Sequence, residues 1–80
     1  MNKNEFIARL KEKGIPPEIV SFDSSTNDGH NIRKNKLGWE TFTRERGKEY
    51  DCIGFPSESD ALQHMLDELV AIYAGDVLGT

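Results

Sequence analysis

Residues 39–55, WETFTRERGKEYDCIGF, constrain the fold more than any other stretch of the chain. Residues that favour extended backbone cluster on both sides of a polar interruption, Trp39, Thr41, Phe42 and Thr43 before it and Tyr50, Cys52, Ile53 and Phe55 after it. Within Glu45-Arg46-Gly47-Lys48, Gly47 can take a positive φ without a Cβ penalty, which marks the reversal of a β-hairpin. Pairing Arg44 with Glu49 then sets Thr43 opposite Tyr50, Phe42 opposite Asp51 and Thr41 opposite Cys52. One face would carry Trp39, Thr41, Thr43, Tyr50 and Cys52; the other would carry Glu40, Phe42, Arg44, Glu49, Asp51, Ile53 and Phe55. Neither face is purely apolar, and a one-residue change in the loop moves every contact, so the register stays open. The preferred arrangement turns Phe42, Ile53 and Phe55 toward the rest of the chain and leaves Trp39 and Tyr50 partly exposed. The reverse burial is the alternative.

Helical patterns flank this hairpin. Ala61, Leu62, Met65, Leu66, Leu69, Val70 and Tyr73 recur at three- and four-residue spacing as one broad apolar stripe, with Gln63, His64, Asp67 and Glu68 largely outside it. Ser57 is placed as N-cap, Glu58 and Asp60 sit near the positive helix end, and Gly75 is a stop signal. At the other end of the chain Asn2 can cap a short helix with Phe6, Ile7 and Leu10 on its apolar side. Gly14-Ile15-Pro16-Pro17 ends that helix, with Ile15 folding back on Leu10. Over residues 19–23, Val20 and Phe22 share one side of a strand, although Pro17-Glu18 also suits a helical turn. Ser24 to Gly29 is turn-rich, His30–Arg33 forms a second short strand anchored by Ile32, and Asn35-Lys36-Leu37-Gly38 turns the chain into the hairpin. The result is a single α+β domain over residues 1–80, a small antiparallel sheet of three or four strands with an N-terminal and a longer C-terminal helix packed on it.

Composition narrows the function. Eighty residues allow one small core, since a chain of this size buries only about 60–65% of its unfolded surface. Fourteen acids against ten Lys and Arg give a net charge of −4, too acidic for nonspecific phosphate binding and suited to a basic protein partner. The single cysteine, Cys52, forms no Cys-x-x-Cys pair, and no apolar run approaches a membrane span. A cytoplasmic protein without membrane or direct nucleic-acid contact is therefore expected. His30, His64 and Cys52 match no common zinc spacing, and nothing near Cys52 and His64 orients a nucleophile-base pair. Gly29, Gly38, Gly47 and Gly54 form neither a phosphate loop nor a dinucleotide motif. No metal, no cofactor and no catalytic residue is expected, and the chain is read as a non-enzyme.

The polar density around the aromatic hairpin is the stronger clue. Trp39, Arg44, Arg46 and Tyr50 are residue types that anchor protein interfaces, and Glu40, Glu45, Glu49 and Asp51 can meet a basic surface. The competing reading makes Trp39 and Tyr50 core aromatics and the charges cross-strand pairs. Gly47 has a local folding reason and Arg46 has none, which singles out Arg46 for separating fold from function.

The order of these motifs resembles small bacterial immunity proteins that neutralise secreted polymorphic toxins. The resemblance lies in NEFIARLKEKGIP at residues 4–16, GWETFTRERGKEYD at 38–51 and FPSESDALQHMLDEL at 55–69. Its markers are Trp39, the Glu45-Arg46-Gly47 turn, Phe55, Glu58, Asp60 and Ala61. It departs from the pattern at Trp-Glu-Thr-Phe, where a more aliphatic or tyrosine-rich strand is the norm. It implies an inhibitor that binds a cognate toxin domain, a basic nuclease being one such partner, and that is monomeric or weakly dimeric when free. A small acidic interaction or regulatory module acting on a non-toxin protein, or as a homodimer, is the alternative.

Overall fold

The computed structural model describes residues 1–22 and 28–73. Helix α1 (Lys3–Glu12) begins where the Asn2 side-chain oxygen accepts the Glu5 backbone N–H at 2.9 Å. It ends in a Schellman motif at Gly14, φ +73°: the Ile15 N–H donates to the Leu10 carbonyl at 2.9 Å and the Gly14 N–H to the Lys11 carbonyl at 3.1 Å. The motif brings Ile15 back onto the buried Phe6 and Leu10. A 3-10 turn, Pro17–Ile19, then leads into strand β1 (Val20–Phe22), so both conformations expected for this stretch occur in succession. Phe22 meets Phe6 edge to face at 5.9 Å, docking β1 against α1.

Strands β2 (Gly29–Asn35), β3 (Gly38–Glu45) and β4 (Lys48–Phe55) form an antiparallel meander, and β1 adds to β2 in parallel to give the order β1-β2-β3-β4. Gly29 opens β2 with φ +106°; residues 24–27 of the expected turn lie outside the described residues. The β3–β4 reversal has only two turn residues, Arg46 at φ +52° and Gly47 at φ +82°. Two successive positive φ angles match the right-handed twist of the strands, so Arg46 holds a conformation that side-chain-bearing residues adopt reluctantly. The turn thus supplies no reason for an arginine at position 46, where Gly or Asn would adopt this conformation more readily.

The register agrees with the sequence for two pairs and then shifts. Arg44 opposes Glu49 and Thr43 opposes Tyr50, but Thr41 opposes Ile53 rather than Cys52. A β-bulge sets Asp51 and Cys52 together against Phe42, with Asp51 at φ +54°. The extra residue moves Ile53 and Phe55 onto the face of Trp39 and sends Cys52 to the opposite one. The preferred burial is thereby corrected. Trp39 packs against the helix-covered core beside Phe55, while Phe42 is buried on the outer face of the sheet.

Helix α2 (Glu58–Tyr73) starts at Ser57, whose Oγ accepts the Asp60 N–H at 3.2 Å. It buries Ala61, Leu62, Met65, Leu66 and Leu69, as their spacing requires; Tyr73, expected in the same stripe, is 46% exposed. The expected stop at Gly75 and the residues after it lie outside the described residues. His64 lies 5.0 Å from the Phe55 ring on β4, and Glu68 reaches His30 on β2, so α2 crosses the sheet diagonally.

That crossing leaves the turn half of β4 exposed. In one row across the inner face, Ile32 is 1% exposed, Thr41 3% and Ile53 40%. The next row runs from His30 through Thr43 to Tyr50, which is 48% exposed. Burial falls away toward the turn half of β4 because α2 meets β4 at Phe55 and then crosses toward β2.

Among the described glycines the tightest surroundings are at Gly38, φ +143°, where an added Cβ would collide with the Phe55 carbonyl oxygen and with Pro56. Gly38→Ala is expected to lower stability by about 2–4 kcal/mol, from the strained φ and the forced shift of β4. Urea denaturation of the purified variant measures this.

Candidate functional site

The charges expected to serve recognition are divided between the two faces and the end of the hairpin. On the outer face Arg33, absent from the expected set, is the centre. Its Nε donates to Glu40, and its Nη1 and Nη2 donate to the two carboxylate oxygens of Glu49 at 2.9 and 3.0 Å. The guanidinium also lies 4.2 Å over the Phe42 ring, which explains how a phenylalanine on a helix-free face is only 2% exposed. Arg33 thus ties β2, β3 and β4 together with one side chain. Arg44, on the same face, approaches Asp28 at 3.8 Å.

These contacts remove Glu40 and Glu49 from the acids available to a basic partner. Arg33 holds the Glu49 carboxyl below the ordinary glutamate value through its hydrogen bonds, against a smaller opposing desolvation. Glu45, Arg46 and Lys48 are exposed around the turn, one acid against two bases, so the turn does not present the acidic surface expected for a basic partner. Asp51 is exposed at the bulge.

The two expected aromatic anchors take different roles. Trp39 is half-buried and lines an open hollow of about 350 Å³ with Asn35, Leu37, Gly54, Phe55 and Pro56. Leu37 stands at its rim, 93% exposed. Tyr50 is the exposed aromatic, on the inner face beside Ile53, a residue the sequence did not single out.

His30 and His64 do converge, on Glu68 rather than on Cys52. His30 Nδ1 lies 4.0 Å from one carboxylate oxygen of Glu68, and His64 Nε2 lies 3.2 Å from the other. Among the described residues neither nitrogen completes a hydrogen bond, although both are shielded from solvent. Their meeting depends on α2 crossing to β2, which sequence spacing does not reveal.

Cys52 is exposed, not buried. Its thiol is pushed above the ordinary value, first by local desolvation and then by Glu40 and Glu49, so it carries little thiolate and is a poor nucleophile. Among the described residues no three His, Cys, Asp or Glu side chains are arranged to hold a metal ion, and no helix is long and apolar enough to cross a membrane.

No protein-family model, curated protein or solved structure matches the chain. Its geometry therefore carries the functional argument.

The Arg33–Glu49 contact has a pH signature. Because the folded-state value of Glu49 is lowered, its contribution is fully present above the ordinary value of 4.5 and is lost as pH falls through the folded-state value below it. The stability gap between the parent protein and Glu49→Gln is expected to be constant near pH 7 and to close under acid. Urea titrations at a series of pH values test the sign.

Proposed function

We propose that this chain is an immunity-type, non-catalytic domain that neutralises a cognate toxin domain by direct contact in the cytoplasm of the producing cell. The observation that carries this reading is β4. Seven of its eight residues are exposed, and it presents Tyr50 and Ile53 beside a sheet whose other strands bury theirs. An aromatic and a branched aliphatic side chain held rigidly on a strand lose little entropy when a partner covers them, which is what an inhibitor surface needs. The family resemblance through GWETFTRERGKEYD falls on the same hairpin.

In this reading the anchors shift within that hairpin. Tyr50 and Ile53 replace Trp39 as the apolar contacts, because Trp39 already packs on the core. Arg46, Glu45 and Asp51 form the polar border. The Asp51 bulge interrupts the edge of β4, which favours side-chain contact over addition of a partner strand and keeps the free domain monomeric.

Co-expression with toxin domains encoded beside this chain is expected to restore growth and to yield a copurifying complex. Tyr50→Ala should weaken that complex by about tenfold or more while leaving the far-UV circular dichroism unchanged. Growth rescue with no complex would contradict direct inhibition.

A further inference from the structure

We infer that the slot between α2 and the inner face of β4 receives a cationic amphipathic helix of the partner, and that Glu68 is the group that recognises its positive charge. This deepens the proposed function and rests on it for the partner's identity. The slot follows from the diagonal crossing of α2, which touches β4 at His64–Phe55 and β2 at Glu68–His30 and so diverges from β4 toward the hairpin turn. One wall is Tyr50 and Ile53, and the other is the helix stripe His64, Glu68 and Ile72, each four residues from the last. Ile72 is 45% exposed, so exposed apolar side chains stand on both sides of a polar floor.

Three observations select a helix of positive charge. First, α1 packs on β1 through Phe6 and Phe22 while α2 crosses from Phe55 on β4 to His30 on β2, and a third helix beside α2 extends that helical layer over the turn half of β4 with ordinary helix-on-sheet packing. Second, α2 carries Glu58, Asp60, Asp67 and Glu68 and no Lys or Arg. Among the described residues none of these acids pairs with a Lys or Arg. Third, the Glu68 carboxylate is 37% exposed and faces only the imidazoles of His30 and His64, at 4.0 and 3.2 Å, so among the described residues no Lys or Arg neutralises it. A Lys or Arg reaching it from an apolar helix face supplies that positive charge. A second copy of this chain does not fit: the basic helix α1 buries its apolar residues Phe6 and Leu10 in its own core.

The test uses a synthetic peptide of about 15 residues with Leu and Lys at helical spacing, near the length at which helices become stable alone. A scrambled peptide of the same composition and a Leu/Glu peptide of the same pattern are controls. In amide NMR titrations of the full chain, the Leu/Lys helix is expected to shift Tyr50, Ile53, Glu68 and Ile72 and to bind at least tenfold tighter than either control. Ile53→Lys and Glu68→Gln should each lose most of that affinity while keeping the parent spectrum elsewhere. Equal binding of the scrambled peptide, or shifts centred on the Arg33 face, would overturn the assignment. The same two variants are then tested against the cognate toxin domain. A toxin complex that survives both substitutions overturns the slot and leaves the proposed function standing, whereas specific peptide binding with no toxin complex upholds the slot and removes the toxin.

Discussion

The extra residue in β4 decides what both faces of this sheet present. Because Asp51 and Cys52 together oppose Phe42, every side chain after the bulge changes face relative to a regular hairpin. Phe55 thereby joins Trp39 over the core, and Ile53 comes into the row of Ile32 and Thr41. Without the bulge, Ile53 would point to the outer face beside the Arg33 network. The inner face of β4 would then lack the residue that makes its slot apolar.

β4 gains little from burial, so other contacts must hold it. Its ladder with β3 is one, and the Trp39–Phe55 end of the hairpin, closed by the contact at Gly38, is a second. Arg33 is the third, because it grips Glu49 on β4 while stacking on Phe42 of β3. The outer face is therefore closed by its own charges and serves stability. The inner face keeps Tyr50 and Ile53 exposed, and the turn half of the strand stays fixed in place without a helix above it.

Much of the architecture was legible because local signals were strong. Asn2, Gly14 and Ser57 each sit where capping chemistry places them, and Ala61 to Leu69 repeat with a helical period that tertiary packing honours. The turn at Gly47 was readable for the same reason. The bulge was not, since Asp51 is an ordinary strand-flanking residue until its partner strand fixes the count. The parallel pairing of β1 with β2 likewise depends on a contact that sequence alone leaves undefined.

The candidate site was legible only in outline. The hairpin itself was readable from residue type, whereas the face of Trp39 was misread because it depends on the bulge. Arg33 was missed because its partners Glu40 and Glu49 lie on two other strands, and Glu68 because its histidines come from separate elements. The central claim is that burial along the Ile32–Thr41–Ile53 row ends at β3, and a matched pair of substitutions in that row tests it. Urea denaturation of Ile32→Asp and Ile53→Asp should show the first failing to fold, since an unpaired carboxylate in the core exceeds the stability of so small a domain. The second should stay within about 1.5 kcal/mol of the parent. Unfolding by both substitutions would show that β4 is part of the core and that the slot does not exist.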